Sequence, residues 1–325
     1  MDTPVSPSGK IQHGSSFKGV RVTINAKQFN KRLVHHKRPM PTIVELTNDL
    51  AGSKWFSCLD FQEAFSQLEY DEESRALMAM STKYGLYYWD RLSMGVATAS
   101  EIFQEVMQSH FEDLKKNLKV AIDDLLLHHN TKDEAQQALN KVLDRISDMG
   151  MALNKDKCVF IAEEVSFFGV TISAAGVKPK QSKVHDLKTC LPPINAKQVQ
   201  SYLGLTSYFK SRSPYQSSID KPLRDLVKKG AKFKWEQEQE AAFQRLKNII
   251  IEEELAFFDH KKVTELYVDA GPFGCSSFLT QLNSLKDEIK LVKCDSHAFN
   301  EAELNYSHLE KEAFACVWTC KTNHI

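Results

Sequence analysis

The sequence predicts an α+β fold in which short apolar strands form an antiparallel sheet and amphipathic helices cover it. Three observations carry this expectation. Ile122-Asp123-Asp124 stands between Lys119-Val120-Ala121 and Leu125-Leu126-Leu127-His128-His129, two short apolar runs joined by acid, as in a β-hairpin with carboxylates at its turn. Trp55-Phe56-Ser57-Cys58-Leu59-Asp60-Phe61 is an apolar run that places one carboxylate, Asp60, at the end of a buried strand. Thr131-Lys132-Asp133-Glu134 has the spacing of a capping box, and Ala135, Ala138, Leu139, Val142, Leu143, Ile146 and Met149 follow at helical intervals until Gly150.

The remaining elements follow in chain order. Between the two acidic strands, Trp89 to Gln104 is a small-residue turn running into a helix. Glu164 to Ile172, rich in β-branched and aromatic residues, reads as a strand or hairpin. Gly176-Val177-Lys178-Pro179 and Leu191-Pro192-Pro193 punctuate the chain and put a boundary near residue 175. A helical segment runs from about Asn195 through Arg212, and Glu236 to Ile251 is a further amphipathic helix. Thr264 to Gly271 is a strand ending in Asp269, and Asn305 to Trp318 begins a helix.

Composition narrows the class. With 325 residues, 42% apolar and 26% charged, the chain suits an ordinary globular protein of two or three domains. Seven cysteines without tight CxxC spacing point to a reducing compartment, cytoplasm or nucleus. No segment approaches the roughly 18 apolar residues of a membrane span, so no membrane partner is expected. Lys and Arg balance Asp and Glu at 42 each, but unevenly. Thr3 to Val44 holds no acid while carrying Lys10, Lys18, Arg21, Lys27, Lys31, Arg32, Lys37 and Arg38. From Lys178 to Lys234, thirteen Lys and Arg face only Asp186, Asp220 and Asp225. Two basic blocks bracketing an acidic centre suit a cleft for a nucleic-acid backbone. Adjacent Asp side chains repel, so Asp60, Asp123 and Asp124 close together call for cations; paired Mg²⁺ ions on carboxylates serve phosphoryl transfer.

Arg21 through Lys31, Arg38-Pro39-Met40-Pro41, Cys58-Leu59-Asp60, Ser100 to Gln104, Ile122-Asp123-Asp124, Leu153 to Cys158, Phe167-Phe168-Gly169 and Ser201 to Leu205 succeed one another in a single order. This succession resembles the reverse transcriptase of gypsy-class long-terminal-repeat retrotransposons, from about Arg21 to about Ile325. The resemblance implies a polymerase right hand of fingers, palm and thumb with an antiparallel palm sheet, followed by a truncated ribonuclease H-like α/β domain. It implies fingers and palm over residues 1–175, thumb and connection over 176–235, and a connection helix with the partial ribonuclease H-like domain over 236–325.

The same resemblance assigns roles. Asp60, Asp123 and Asp124 would hold two Mg²⁺ ions, or Mn²⁺, for attack of a primer 3′-hydroxyl on a dNTP, on an RNA or DNA template. Phe65 matches the aromatic beneath the incoming sugar, and Arg21 the fingers arginine that contacts the triphosphate, with Lys18 and Lys10 as candidate partners. Phe167, Phe168 and Gly169 match the stretch that grips the primer terminus. Asp269 and Glu312 match the first two ribonuclease H metal ligands.

The chain departs from the family's pattern at several points. Ala121 stands where the family carries Tyr, Ser93-Met94 replaces Pro-Phe, and Thr23 to Lys27 lacks the usual acid. A second reading, a catalytically inactive nucleic-acid-binding protein or decayed element copy, keeps the basic blocks and draws on these departures. Cys316, Cys320 and His324 lie at i, i+4 and i+8 on one helix but lack a fourth zinc ligand. His35-His36 and His128-His129 read as solvated or packed histidines.

Overall fold

A computed structural model describes residues 24–34, 41–47, 49–207, 216–252, 255–283 and 288–323. Chain contacts divide it into a first unit, Met1–Thr47 with Gly52–Phe168, and a second, Gly169–Ile325 with Asn48–Ala51.

The first unit begins with short helices α1 (Lys27–Asn30) and α2 (Ile43–Thr47), followed by β1 (Trp55–Asp60) and a 3₁₀ turn (Ala64–Gln67). Then come α3 (Glu72–Leu77), the hairpin β2 (Ala79–Thr82) and β3 (Gly85–Tyr88), and α4 (Ala99–His110). The expected acidic hairpin is β4 (Leu118–Ala121) and β5 (Asp124–His129), followed by α5 (Lys132–Asp148), β6 (Val159–Ala162) and β7 (Glu164–Phe167). Four strands form one antiparallel sheet in the order β4-β5-β1-β6.

Alternation along β1 and β5 decides what each face does. Leu59, Leu125 and Leu127 share a core with Phe103 and Met107 of α4 and Leu139, Val142 and Ile146 of α5. The intervening residues Phe56, Cys58, Leu126 and His128 lie on the opposite face and are also buried. Strands buried on both faces read as unbroken apolar runs, which is how Trp55–Leu59 and Leu125–Leu127 look in the sequence. Helix α5 starts at the expected capping box: Thr131 Oγ1 accepts the Glu134 N–H, and Glu134 accepts the Thr131 N–H. A second cluster, Ala26, Met78, Trp89, Leu92, Val96 and Ala99, seats α1 beside the turn before α4.

The second unit opens with the antiparallel pair β8 (Val170–Ser173) and β9 (Gly176–Pro179). Gly176 has φ +144, and a Cβ there would stand 2.2 Å from the Leu255 carbonyl oxygen, so only glycine fits. Helices α6 (Gln181–Thr189), α7 (Ala196–Ser207), α8 (Gln216–Ile219), α9 (Lys221–Asp225) and α10 (Gln237–Glu252) follow. They bury Leu187, Val199, Tyr202, Leu223, Phe243 and Leu246 together, and the Tyr202 hydroxyl donates to the Phe243 carbonyl at 3.0 Å. The helical segment expected to reach Arg212 is described only to Ser207, because 208–215 lie outside the described residues.

The chain then makes a three-stranded antiparallel meander, β10 (Thr264–Ala270), β11 (Gly274–Asn283) and β12 (Glu288–Ala298). Helix α11 (Glu301–Leu304) and helix α12 (His308–Asn323) close it, with Ala270, Cys275, Phe299 and Ala315 as its core. The helix expected from Asn305 starts instead at His308. Asn300 caps α11 with its side chain, and Ser307 with Glu310 restarts the chain as α12, so two caps split the stretch. Among the described residues no helix is long and apolar enough to cross a membrane.

Candidate active site

Asp60 ends β1 and Asp124 begins β5, and the two are direct register partners across the antiparallel pair. Such partners point to the same face, with Cβ atoms about 4.5–5.5 Å apart. Because Leu59 and Leu125 face the helices, both carboxylates lie on the face turned away from α4 and α5. Asp123 is exposed in the tight turn between β4 and β5, and its carbonyl accepts the Phe61 N–H at 3.2 Å.

The turn is braced from below. Ile122 has φ +57, an unfavourable left-handed conformation for a β-branched residue. The side chain of Gln104, 6% exposed on α4, accepts the Ile122 N–H at 2.6 Å and donates to the Val120 carbonyl at 2.9 Å. Gln104 fell inside a recognised sequence segment without a role. Its signal was a polar amide on the apolar face of α4, beside Phe103 and three residues before Met107.

The segment Leu153 to Cys158 closes the other side. The Asn154 N–H donates to the Asp60 carbonyl at 2.8 Å, and Phe61 bridges Leu153. Lys157 Nζ lies 3.3 and 3.2 Å from the two Asp60 carboxylate oxygens, and the Asp60 carboxylate is 16% exposed. Cys158 Sγ accepts the Asp60 N–H at 3.4 Å. Burial pushes the Cys158 thiol up, and the charges of Asp60 and Asp124 add to the rise. Both carboxylates therefore act on one thiol.

Among the described residues no three His, Cys, Asp or Glu side chains make a metal-binding group. The donor set still fits a hard divalent cation. Mg²⁺ takes one or two carboxylates and completes its octahedron with substrate phosphates and water, and a pair of opposed carboxylates needs a balancing positive charge.

The other expected residues are placed as follows. Phe65 sits in the 3₁₀ turn, half-buried, its ring edge-on to Phe103 at 5.9 Å between centroids. Phe167 is buried at the end of β7; Phe168 and Gly169 follow with φ of +46 and +78. Asp269 is exposed near the end of β10, and Glu312 lies in the second turn of α12, which packs on β10. Cys316 and Cys320 are exposed on α12. Arg21, Lys10, Lys18, His35, His36 and His324 lie outside the described residues.

An antiparallel sheet with helices on one face and acids on the other, followed by helices and a second sheet, is the architecture of a reverse-transcriptase polymerase. Solved structures agree on the fold. The foamy viral protease-reverse transcriptase in complex with double-stranded DNA superposes with a TM-score of 0.81 at 21% identity, over 93% of this chain and 53% of that one. The same protein in complex with an RNA/DNA hybrid gives 0.79 at 22% identity, over 92% and 40%.

Residues 11–172 match the family described as "Reverse transcriptase (RNA-dependent DNA polymerase)", and residues 235–325 match "RNase H-like domain found in reverse transcriptase". The retrovirus-related Pol polyprotein from transposon 297 of Drosophila melanogaster is 31% identical over 305 residues, covering 93% of this chain and 28% of the relative. That from transposon gypsy of the same organism is 28% identical over 92% of this chain and 30% of the relative. The chain thus carries a reverse-transcriptase domain followed by an RNase H-like one, similar to those of gypsy-type Pol polyproteins, and it spans less than a third of these relatives' length.

Proposed function

We propose that this chain catalyses RNA-directed DNA synthesis, adding a nucleotide from a dNTP to a primer 3′-hydroxyl on a nucleic-acid template. The observation that carries the reading is the register pair Asp60 and Asp124 on the sheet face turned away from α4 and α5. Asp60 and Asp124, with Asp123 beside them, would hold Mg²⁺ or Mn²⁺, which when bound supplies electrostatic stabilisation of the transferring phosphoryl group.

The chain's own groups do the rest. Lys157 balances Asp60 and keeps its carboxylate oriented. Phe65 presents a flat apolar wall to the incoming sugar and excludes a 2′-hydroxyl by its bulk. Arg21 offers a planar fork of donors to the triphosphate. Phe167, Phe168 and Gly169 hold the primer end, where two consecutive left-handed residues turn the backbone sharply after β7. The domain reading is fingers and palm over 1–175, thumb and connection over 176–235, and connection helix with ribonuclease H-like fold over 236–325, where Asp269 and Glu312 are the nuclease ligands. Double-stranded DNA and RNA/DNA hybrid, the molecules held by the solved foamy viral enzymes, are the template-primers of this reading.

Primer extension on an RNA template with Mg²⁺ tests it, alongside Asp123→Asn. Extension by the unaltered chain that disappears in the variant supports the reading. Template binding without extension in either favours the alternative, a non-catalytic nucleic-acid-binding protein, to which Ala121 and Ser93-Met94 point.

A further inference from the structure

Beside the site, one side chain that the proposed chemistry does not use carries three hydrogen bonds. Gln67 ends the 3₁₀ turn that bears Phe65. Its Nε2 donates to the Gln62 carbonyl at 2.6 Å and to the Ala152 carbonyl at 2.9 Å, while its Oε1 accepts the Ala152 N–H at 2.6 Å. Both amide hydrogens and the oxygen are thereby committed. A carboxylate could not do this, because it has no donor for the two carbonyls.

The partner is informative. Ala152 also accepts the Gln62 N–H at 3.0 Å, and the residues after it, Leu153 and Asn154, bridge Phe61 and donate to the Asp60 carbonyl. The Gln67 amide therefore ties the turn holding Phe65 to the same strand-like segment that fixes the backbone of Asp60. The turn lacks a side-chain cap of its own and starts at Glu63 with φ +48. Other anchors are the burial of Ala64, the edge contact of Phe65 with Phe103 and the Arg91 Nη1 bond to the Gln67 carbonyl at 3.1 Å.

We propose that Gln67 is a positioning residue that sets the height of Phe65 relative to Asp60, and so governs discrimination between deoxyribo- and ribonucleotides. This rests on the polymerase reading above. The test measures kcat/KM for dNTP and for the matching rNTP on one primer-template, using the full chain and its Gln67→Leu, Gln67→Asn, Phe65→Ala and Gln67→Leu/Phe65→Ala variants. Gln67→Leu keeps the volume without the bonds. Gln67→Asn keeps the amide but falls short of Ala152, and serves should the Leu variant not fold.

Either single change at residue 67 should lower the dNTP/rNTP ratio about tenfold, as expected for a small displacement of a contacting group. The double variant should discriminate no worse than Phe65→Ala alone, since the amide acts through that ring. If Phe65→Ala relaxes discrimination while the residue 67 variants slow both nucleotides equally, Gln67 is merely structural and the inference is overturned with the reading intact. A wild-type chain that extends nothing, or a Phe65→Ala ratio unchanged, overturns the reading and the inference with it.

Discussion

The two sheets carry strand-end acids in opposite settings. In the first unit Asp60 faces Asp124 in register, and the strands behind them are buried on both faces. In the second, Asp269 faces Ser276, and β10 alternates between exposed and covered residues along most of its length. Two opposed carboxylates store repulsion that a cation relieves; a carboxylate opposite a hydroxyl does not. A rigid, doubly buried sheet is what keeps such a pair from drifting apart. The first sheet is therefore built to concentrate charge, whereas the meander only displays one.

The largest effect should come from removing that concentration. Asp60→Asn should reduce primer extension on the order of 10³-fold, with template affinity, measured by fluorescence anisotropy, nearly unchanged. Asp269→Asn should leave extension within about twofold on the same scale. Comparable losses in both variants would erase the contrast.

Next in size is the core beneath each sheet. Phe103→Ala empties a site in contact with the rings of both Phe61 and Phe65 and should cost about 3–5 kcal/mol in the first unit, read by denaturant unfolding. Peptide-resolved hydrogen exchange should show the loss in residues 52–168 and not in 264–323.

Gln104→Leu should be milder, about 1–3 kcal/mol, because it removes two buried hydrogen bonds while retaining volume. Extension should fall with it by roughly tenfold as the acidic turn loosens. Full activity in this variant would mean that the hairpin holds the acids unaided.

The smallest contrast is in pH. Burial pushes the His129 imidazole below its ordinary 6.5, against the upward pull of Glu134. At His129 the folded first unit thus binds protons less readily than the unfolded chain; that group's contribution to stability is complete above pH 6.5 and is lost as pH falls below that. Burial works to raise the Glu303 carboxyl, but the Asn300 N–H and His297 outweigh it and hold the group below 4.5. That contribution is present above 4.5 and is lost only at lower pH. Between about pH 6.5 and 5, hydrogen exchange should therefore quicken in β5 while β12 and α11 hold steady. A parallel decline would remove the distinction.

Local patterns were legible in the sequence. The acidic hairpin, the strand into Asp60 and the α5 capping box all rest on residues within a few positions of each other, and the α+β reverse-transcriptase fold followed from them and from the order of motifs. What depended on distant partners was not legible. Nothing local says that Asp60 pairs with Asp124 rather than one residue along, since register is set by the whole apolar face. Gln104, Gln67 and Lys157 likewise act on main chain or carboxylates far away in sequence. The start of α12 was placed at Asn305, three residues early, because the Ser307 and Glu310 pair that caps it was not read as a cap.

The Gln104 clamp also bears on how this hairpin tolerates drift. Both of its hydrogen bonds end on backbone atoms, the Val120 carbonyl and the Ile122 N–H, which flank residue 121 without involving its side chain. The bend that presents the acids is thereby indifferent to what occupies that position. The Ala121 side chain is itself buried, at 2% exposure, and makes neither of these two bonds. An amide borne on a separate helix thus sets the loop's shape from outside the hairpin.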